Sequence, residues 1–213
     1  MAQWLQGEEG TLLAYNSRGS QVGQSVNMDS VESWKSTVLT DLLRTYGPDC
    51  IYNADETGLY YKAQPSKSLT YKTEDARGAK RSKDRITLLL AANMSGSDKL
   101  KPLVINKSKT PRVFTRARVR AAQLPVEWEA NPSAWMTSEI FSRWLHNQDR
   151  RFQRLGKKIA LVLDNASSNP HTLQTHCKAM KLIFLPPNTT SVVQPMDQGI
   201  IADFKKKFRK VYV

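Results

Sequence analysis

A chain of 213 residues can bury one domain core, and 40% hydrophobic residues exclude a wholly disordered chain. Thirty-two Lys and Arg against 19 Asp and Glu leave a formal charge of +13, which points to a polyanionic partner, nucleic acid first. No apolar run approaches the roughly 18 residues of a membrane-spanning helix. The first ten residues, MAQWLQGEEG, carry no signal-peptide core, and two cysteines, Cys50 and Cys177, make no disulfide framework and fit a reducing compartment.

Residues 1–28 are rich in Gly, Ser and Gln and read as a flexible lead-in. Residues 29–46 read as a helix: Asp29 or Ser30 caps it, and Val31, Trp34, Val38, Leu39, Leu42 and Leu43 recur at three- and four-residue steps before Gly47-Pro48. A strand follows from Cys50 to Asp55. Ile86–Ala92 and Leu100–Ile105 are further strands, joined by a polar turn at 95–98. Residues 137–155 read as a helix with Ile140, Phe141, Trp144, Leu145, Phe152 and Leu155 on one stripe and Gly156 as its cap. The run Ile159–Leu163 is the most strand-like of all and ends on Asp164-Asn165. A short helix at about 170–179, a strand Lys181–Leu185 and a stop at Pro186-Pro187-Asn188 come next. A final helix is expected from about Asp197, its stripe made by Ile200, Ile201, Phe204, Phe208 and Val211. This order suggests an α/β sheet, with antiparallel strands first and strand–helix alternation after.

Two of these strands end on a carboxylate, Asp55 and Asp164. Neighbouring strands lie about 4.8 Å apart, so two such acids can share one cation. Asp197 is a third candidate, at the start of the final helix. Acids this close repel one another unless a cation lies between them, and oxygen-only ligands suit Mg²⁺ or Mn²⁺ better than Zn²⁺. A single Asp at a strand end is more often a turn former or helix cap, so the constellation draws its weight from the surrounding motifs.

Those motifs are Asn53-Ala54-Asp55-Glu56-Thr57-Gly58-Leu59, Lys83-Asp84-Arg85-Ile86-Thr87, Lys101-Pro102-Leu103-Val104-Ile105 and Trp135-Met136-Thr137. They continue with Leu163-Asp164-Asn165-Ala166, Phe184-Leu185-Pro186-Pro187-Asn188-Thr189-Thr190-Ser191 and Gln194-Pro195-Met196-Asp197-Gln198-Gly199. In order and spacing the set resembles the DDE endonuclease superfamily, in its pogo/Tigger transposase branch, over roughly residues 29–213. The resemblance implies an α/β, RNase H-like fold with a mixed five-stranded sheet flanked by helices. It implies Asp55, Asp164 and Asp197 as catalytic and metal-binding acids, Mg²⁺ or Mn²⁺ as cofactor, DNA as partner and the nucleus as location, with a homodimer left open.

The sequence departs from that pattern in two ways. Where the branch commonly has His after the second aspartate motif, this chain has Asn169, with His171 two residues on. The family's N-terminal helix-turn-helix region has no counterpart in the lead-in, and only 16 residues follow Asp197, so a chain shortened at its C-terminus is expected. Function therefore divides between Mg²⁺-dependent DNA strand cleavage and transfer and a transposase-derived DNA-binding protein that no longer cuts. An RNase H-like activity on RNA is a weaker third reading. Phosphate contacts are expected from Lys80, Arg81, Lys83 and Arg85, from Arg112, Arg116, Arg118 and Arg120, and from Lys205, Lys206 and Lys207. Singly, each run also reads as a solvated face.

Overall fold

The computed structural model describes residues 27–62, 84–165 and 171–212. Six strands form one mixed sheet in the order β4-β3-β2-β1-β5-β6, one strand more than expected. They are β1 (Ile51–Leu59), β2 (Ile86–Asn93), β3 (Leu103–Asn106), β4 (Glu127–Ala130), β5 (Ile159–Leu163) and β6 (Met180–Phe184). The first three make an antiparallel meander, and β5 and β6 add in parallel beside β1. The additional strand, β4, pairs in parallel with β3 at the sheet's edge. Its alternation is the reverse of an ordinary half-buried strand. Glu127 and Glu129 face the covering helix, where the Gln148 amide donates to Glu127 at 2.9 Å and Arg143 pairs with Glu129 at 3.1 Å. An apolar-inward pattern therefore does not reveal it.

One face of the sheet is covered by α4 (Ser138–Arg154). The Thr137 hydroxyl caps its start by accepting from Ile140 N–H, and Gly156, at φ 63°, takes the left-handed cap position predicted for it. Ile140, Phe141, Trp144, Leu145 and Phe152 pack against Tyr52, Ala54, Leu89, Leu103, Ile105, Leu161 and Leu163. Leu155, predicted for the same stripe, is exposed because the helix ends one residue before it. A polar tie closes the far end: the Tyr52 hydroxyl donates to Asp98 at 2.7 Å, and Arg151 pairs with Asp98 at 3.0 Å.

Two separate helical units cover the opposite face. The first comprises α1 (Met28–Trp34) and α2 (Thr40–Thr45), joined by a π-helical turn, Lys35–Leu39. That turn sets the buried positions Trp34 and Leu39 five residues apart, and Leu43, read on the same stripe, is exposed. Asn27 caps the unit, its side chain accepting from Ser30 N–H. This unit packs on Ile51, Ala160, Val162 and Ile183. The second unit is α6 (Ile200–Tyr212), whose Ile201, Phe204 and Phe208 lie on Leu59, Leu88, Leu90 and Val104. Ile200 and Val211, predicted on the same stripe, are exposed. Among the described residues no helix is long and apolar enough to cross a membrane.

Candidate active site

Side chains alternate along β1, so Ile51, Asn53, Asp55, Thr57 and Leu59 share the face that carries the two helical units. Ile51 packs under the α1–α2 unit and Leu59 under α6. Asp55 lies between those clusters, where the sheet is left open. The strand does not stop at Asp55, as the sequence suggested, but continues to Leu59 because β2 pairs with it throughout, Asp55 opposite Leu90 and Leu59 opposite Ile86. What ends near Asp55 is the parallel pairing with β5. The last pair is Asn53 with Val162; Asp55 stands two residues further along β1, and Asp164 follows just past the end of β5 at Leu163.

Asp197 reaches the same place by a different route. It is the last residue of a 3-10 turn, Pro195–Asp197, which follows α5 (Thr190–Val193) and is separated from α6 by Gly199 at φ 102°. Asp197 thus precedes the final helix instead of opening it. Its carboxyl is within hydrogen-bonding reach of Asp55 although the residue as a whole is exposed.

The electrostatics follow from this crowding. Burial, then the charges of Asp197 and Asp164, push the Asp55 carboxyl well above the usual carboxylate range, while one hydrogen bond from Glu56 N–H at 2.8 Å pulls the other way. Asp197 is raised as well, by burial of its carboxyl first, against the lowering pull of its hydrogen bond with Asp55 and of Lys205. Among the described residues no three acidic, His or Cys side chains close into a ready-made metal cage. The structure brings Asp55 and Asp197 together and holds Asp164 close enough to act on Asp55 through its charge.

The predicted basic residues separate into distinct places. Lys205, on the first turns of α6, is half-buried and near both Asp197 and Asp55, while Lys206 and Lys207 on the same helix are exposed. Burial, then Arg209, lowers the Lys205 pKa, and the two aspartates oppose that shift. Lys207 pairs with Asp203 at 2.8 Å on the helix surface. Arg112 and Arg116 stand exposed on α3 (Arg112–Ala117), with Arg118 and Arg120 just after it. A helix replaces the loop expected there, anchored by Phe114 against Trp128 of β4. That strand lies three places from β1, about 14 Å away at the usual strand spacing. The Arg85 guanidinium stacks on the Trp135 ring, 3.3 Å from the centroid, beside Gly58. Lys80, Arg81 and Lys83 lie outside the described residues, as do Asn169 and the lead-in up to residue 26.

Sequence reasoning missed the two buried amides beneath the acids, Asn53 and Gln194, both fully buried. The signal was present, because Asn is depleted in strands and here interrupts an apolar run two residues before Asp55.

Comparison with known proteins agrees with this architecture. A family profile described as DDE superfamily endonuclease matches residues 83–213. Tigger transposable element-derived protein 4 of Mus musculus is 36% identical over 184 residues, covering 86% of this chain and 35% of the relative. The Jerky protein homolog of Homo sapiens is 38% identical over 167 residues, covering 74% of this chain and 29% of the relative. CENP-B homolog protein 2 of Schizosaccharomyces pombe is 30% identical over 216 residues, covering 99% of this chain and 41% of the relative. The chain thus spans about a third of the length of the relatives it matches. In fold it is similar to a pre-cleavage Mos1 transpososome, with a TM-score of 0.56 at 14% identity over 92% of this chain and 54% of that one. It is likewise similar to the Mos1 transposase paired-end complex with left transposon end, with a TM-score of 0.54 at 17% identity over 92% of this chain and 54% of that one. A mixed sheet of RNase H-like type, a profile match over more than half the residues and relatives at this identity lead to one assignment: the chain belongs to the DDE superfamily endonuclease family.

Proposed function

We propose that this chain is the strand-cutting domain of a transposase-derived endonuclease, acting on DNA with Asp55, Asp164 and Asp197 as its metal-binding acids. One observation carries the proposal: Asp164, just past the end of β5, is near enough for its charge to act on Asp55 of the neighbouring strand, and Asp197 is delivered against Asp55 from a separate turn. The donor set fits Mg²⁺ or Mn²⁺, being all carboxylate and holding negative charge that the protein itself leaves poorly compensated. A divalent cation, when bound there, would activate a water or a 3′-hydroxyl and stabilise the leaving oxygen of an in-line phosphodiester displacement.

The chain's own residues supply placement and charge. The three aspartates hold the cation between the middle of β1, the end of β5 and a turn. Lys205, beside the acids, meets the scissile phosphate, and the exposed Lys206 and Lys207 continue that contact along the backbone. Arg112, Arg116, Arg118 and Arg120 hold a more distant stretch of DNA at the other end of the sheet. DNA as substrate is supported by solved relatives described as a paired-end complex and a transpososome, and by an S. pombe relative named ARS-binding protein 1, 33% identical over 179 residues. The basic run of α6 and these relatives also favour a nuclear location.

Nicking of supercoiled DNA tests the proposal. Cleavage is expected with Mg²⁺ or Mn²⁺, none with chelator, and a loss of at least 100-fold, on the order of an essential metal ligand, in Asp164→Ala. Nicking that survives Asp164→Ala contradicts it. A second reading, binding without cutting, is favoured by Asn169, which stands where the family commonly has His. DNA retention with no turnover in either metal selects that reading.

A further inference from the structure

Asn53 sits beneath the acidic site with no exposure to solvent, and every polar atom of its amide is used. Its Nδ2 donates to the Val162 carbonyl at 3.0 Å and to Gln194 Oε1 at 2.6 Å, and its Oδ1 accepts from Met196 N–H at 3.1 Å. Val162 lies two residues before Asp164, Met196 immediately before Asp197, and Asn53 itself two residues before Asp55. One side chain therefore touches all three segments that carry the acids. Gln194, also fully buried, completes the link with a long contact of 3.5 Å from its Nε2 to the Ala54 carbonyl, next to Asp55. Pairing of the sheet does not fix the 3-10 turn of Asp197 against β1; Met196 anchors it by packing among Leu59, Leu88, Leu90 and Ile201, which leaves the polar register to be set. The turn has no strand partner, and the amides supply the register it lacks.

We propose that Asn53 and Gln194 are positioning residues, a buried amide strut that sets the spacing of Asp55, Asp164 and Asp197 for divalent-cation binding. The inference rests on the acidic-site reading above and goes beyond it by assigning roles to two residues that cannot reach a metal. Only an amide serves at position 53, because it must donate to two oxygens and accept from one N–H at once. Aspartate would present a carboxylate to the Val162 carbonyl and to Gln194 Oε1, and leucine would leave three buried polar groups unpaired. Groups that orient metal ligands from behind commonly govern affinity tenfold to a hundredfold without touching the ion.

The test is a calorimetric Mn²⁺ titration of the whole chain, with folding monitored by circular dichroism and thermal melting. Asn53→Ala is expected to weaken Mn²⁺ binding roughly tenfold to a hundredfold, with a smaller loss in Gln194→Met, which keeps the volume and removes the amide. Thr87→Val is the matched control. It deletes an equally buried hydrogen bond, Thr87 Oγ1 to the Ala134 carbonyl at 2.7 Å, in the same sheet but away from the acids. Its melting temperature should fall while its Mn²⁺ affinity stays unchanged. If Asn53→Ala does not fold, Gln194→Met against Thr87→Val carries the comparison alone. Wild-type affinity in the strut variants, or an equal loss in Thr87→Val, overturns the strut. If Asp164→Ala also leaves Mn²⁺ binding intact, it is the acidic-site reading itself that fails.

Discussion

Asp149 and Asp55 are two aspartates packed against the same sheet, and their surroundings treat negative charge in opposite ways. Asp149, on α4, is almost fully buried, yet it accepts backbone N–H bonds from Lys178 at 3.1 Å, Ala179 at 2.8 Å and Met180 at 3.1 Å. The Gln153 amide adds another donor. Burial alone would raise its pKa, but these donors together outweigh burial and hold it below the usual carboxylate range. Asp55 is less buried and receives one backbone N–H, while its nearest polar neighbours are two further carboxylates. One aspartate is an anchor whose charge the fold satisfies. The other is a carboxyl whose ionisation the fold disfavours.

Breaking the anchor gives the largest effect on stability. Asp149→Ala leaves the three N–H groups that open β6 without an acceptor, and about 3 kcal/mol of unfolding free energy or more is expected to vanish in a urea titration. A loss under about 1 kcal/mol would mean that the donors find other partners and that the contrast is overstated.

Asp55→Asn gives a smaller effect of opposite sign. The folded pKa of Asp55 lies above its unfolded value, at about 8, so its contribution is fully present below an ordinary carboxylate pKa and is lost as pH rises through the folded value. Without metal, the Asn variant is therefore expected to be more stable than the parent at pH 8, and to show no gain near pH 4. For Asp149 the sign reverses, because a lowered folded pKa gives stability that is present above the unfolded value and lost as pH falls through the folded one. Melting curves across pH for the two single variants separate the two arms. Equal slopes in both would erase the comparison.

The sequence made the anchor hard to see and the site easy. Asp149 stands in a helix among charged and polar neighbours, Asn147-Gln148-Asp149-Arg150-Arg151, and nothing local says that it turns inward to meet β6 across 30 residues of chain. The acids were legible because Leu161-Val162-Leu163-Asp164 and the motifs around Asp55 and Asp197 carry their chemistry in contiguous residues. The elements of the core were legible for the same reason, through the apolar run of β5 and the stripe of α4. Hidden features depended on tertiary partners. The extension of β1 past Asp55 is held by pairing with β2, the inverted edge strand β4 by Gln148 and Arg143, and the shifted stripe of α1–α2 by a π-turn. The stacking of Arg85 on the Trp135 ring, 50 residues on, was likewise hidden.

The proposal that a cation displaces the proton held on Asp55 is tested most directly by proton release on Mn²⁺ binding, measured calorimetrically in two buffers of different ionisation enthalpy at pH 7. A carboxyl raised above that pH must lose its proton when the metal enters, so close to one proton is expected per binding event in the parent chain. Asp55→Asn should bind more weakly and release almost none. Mn²⁺ binding without proton release, or an unchanged release in Asp55→Asn, would contradict the account.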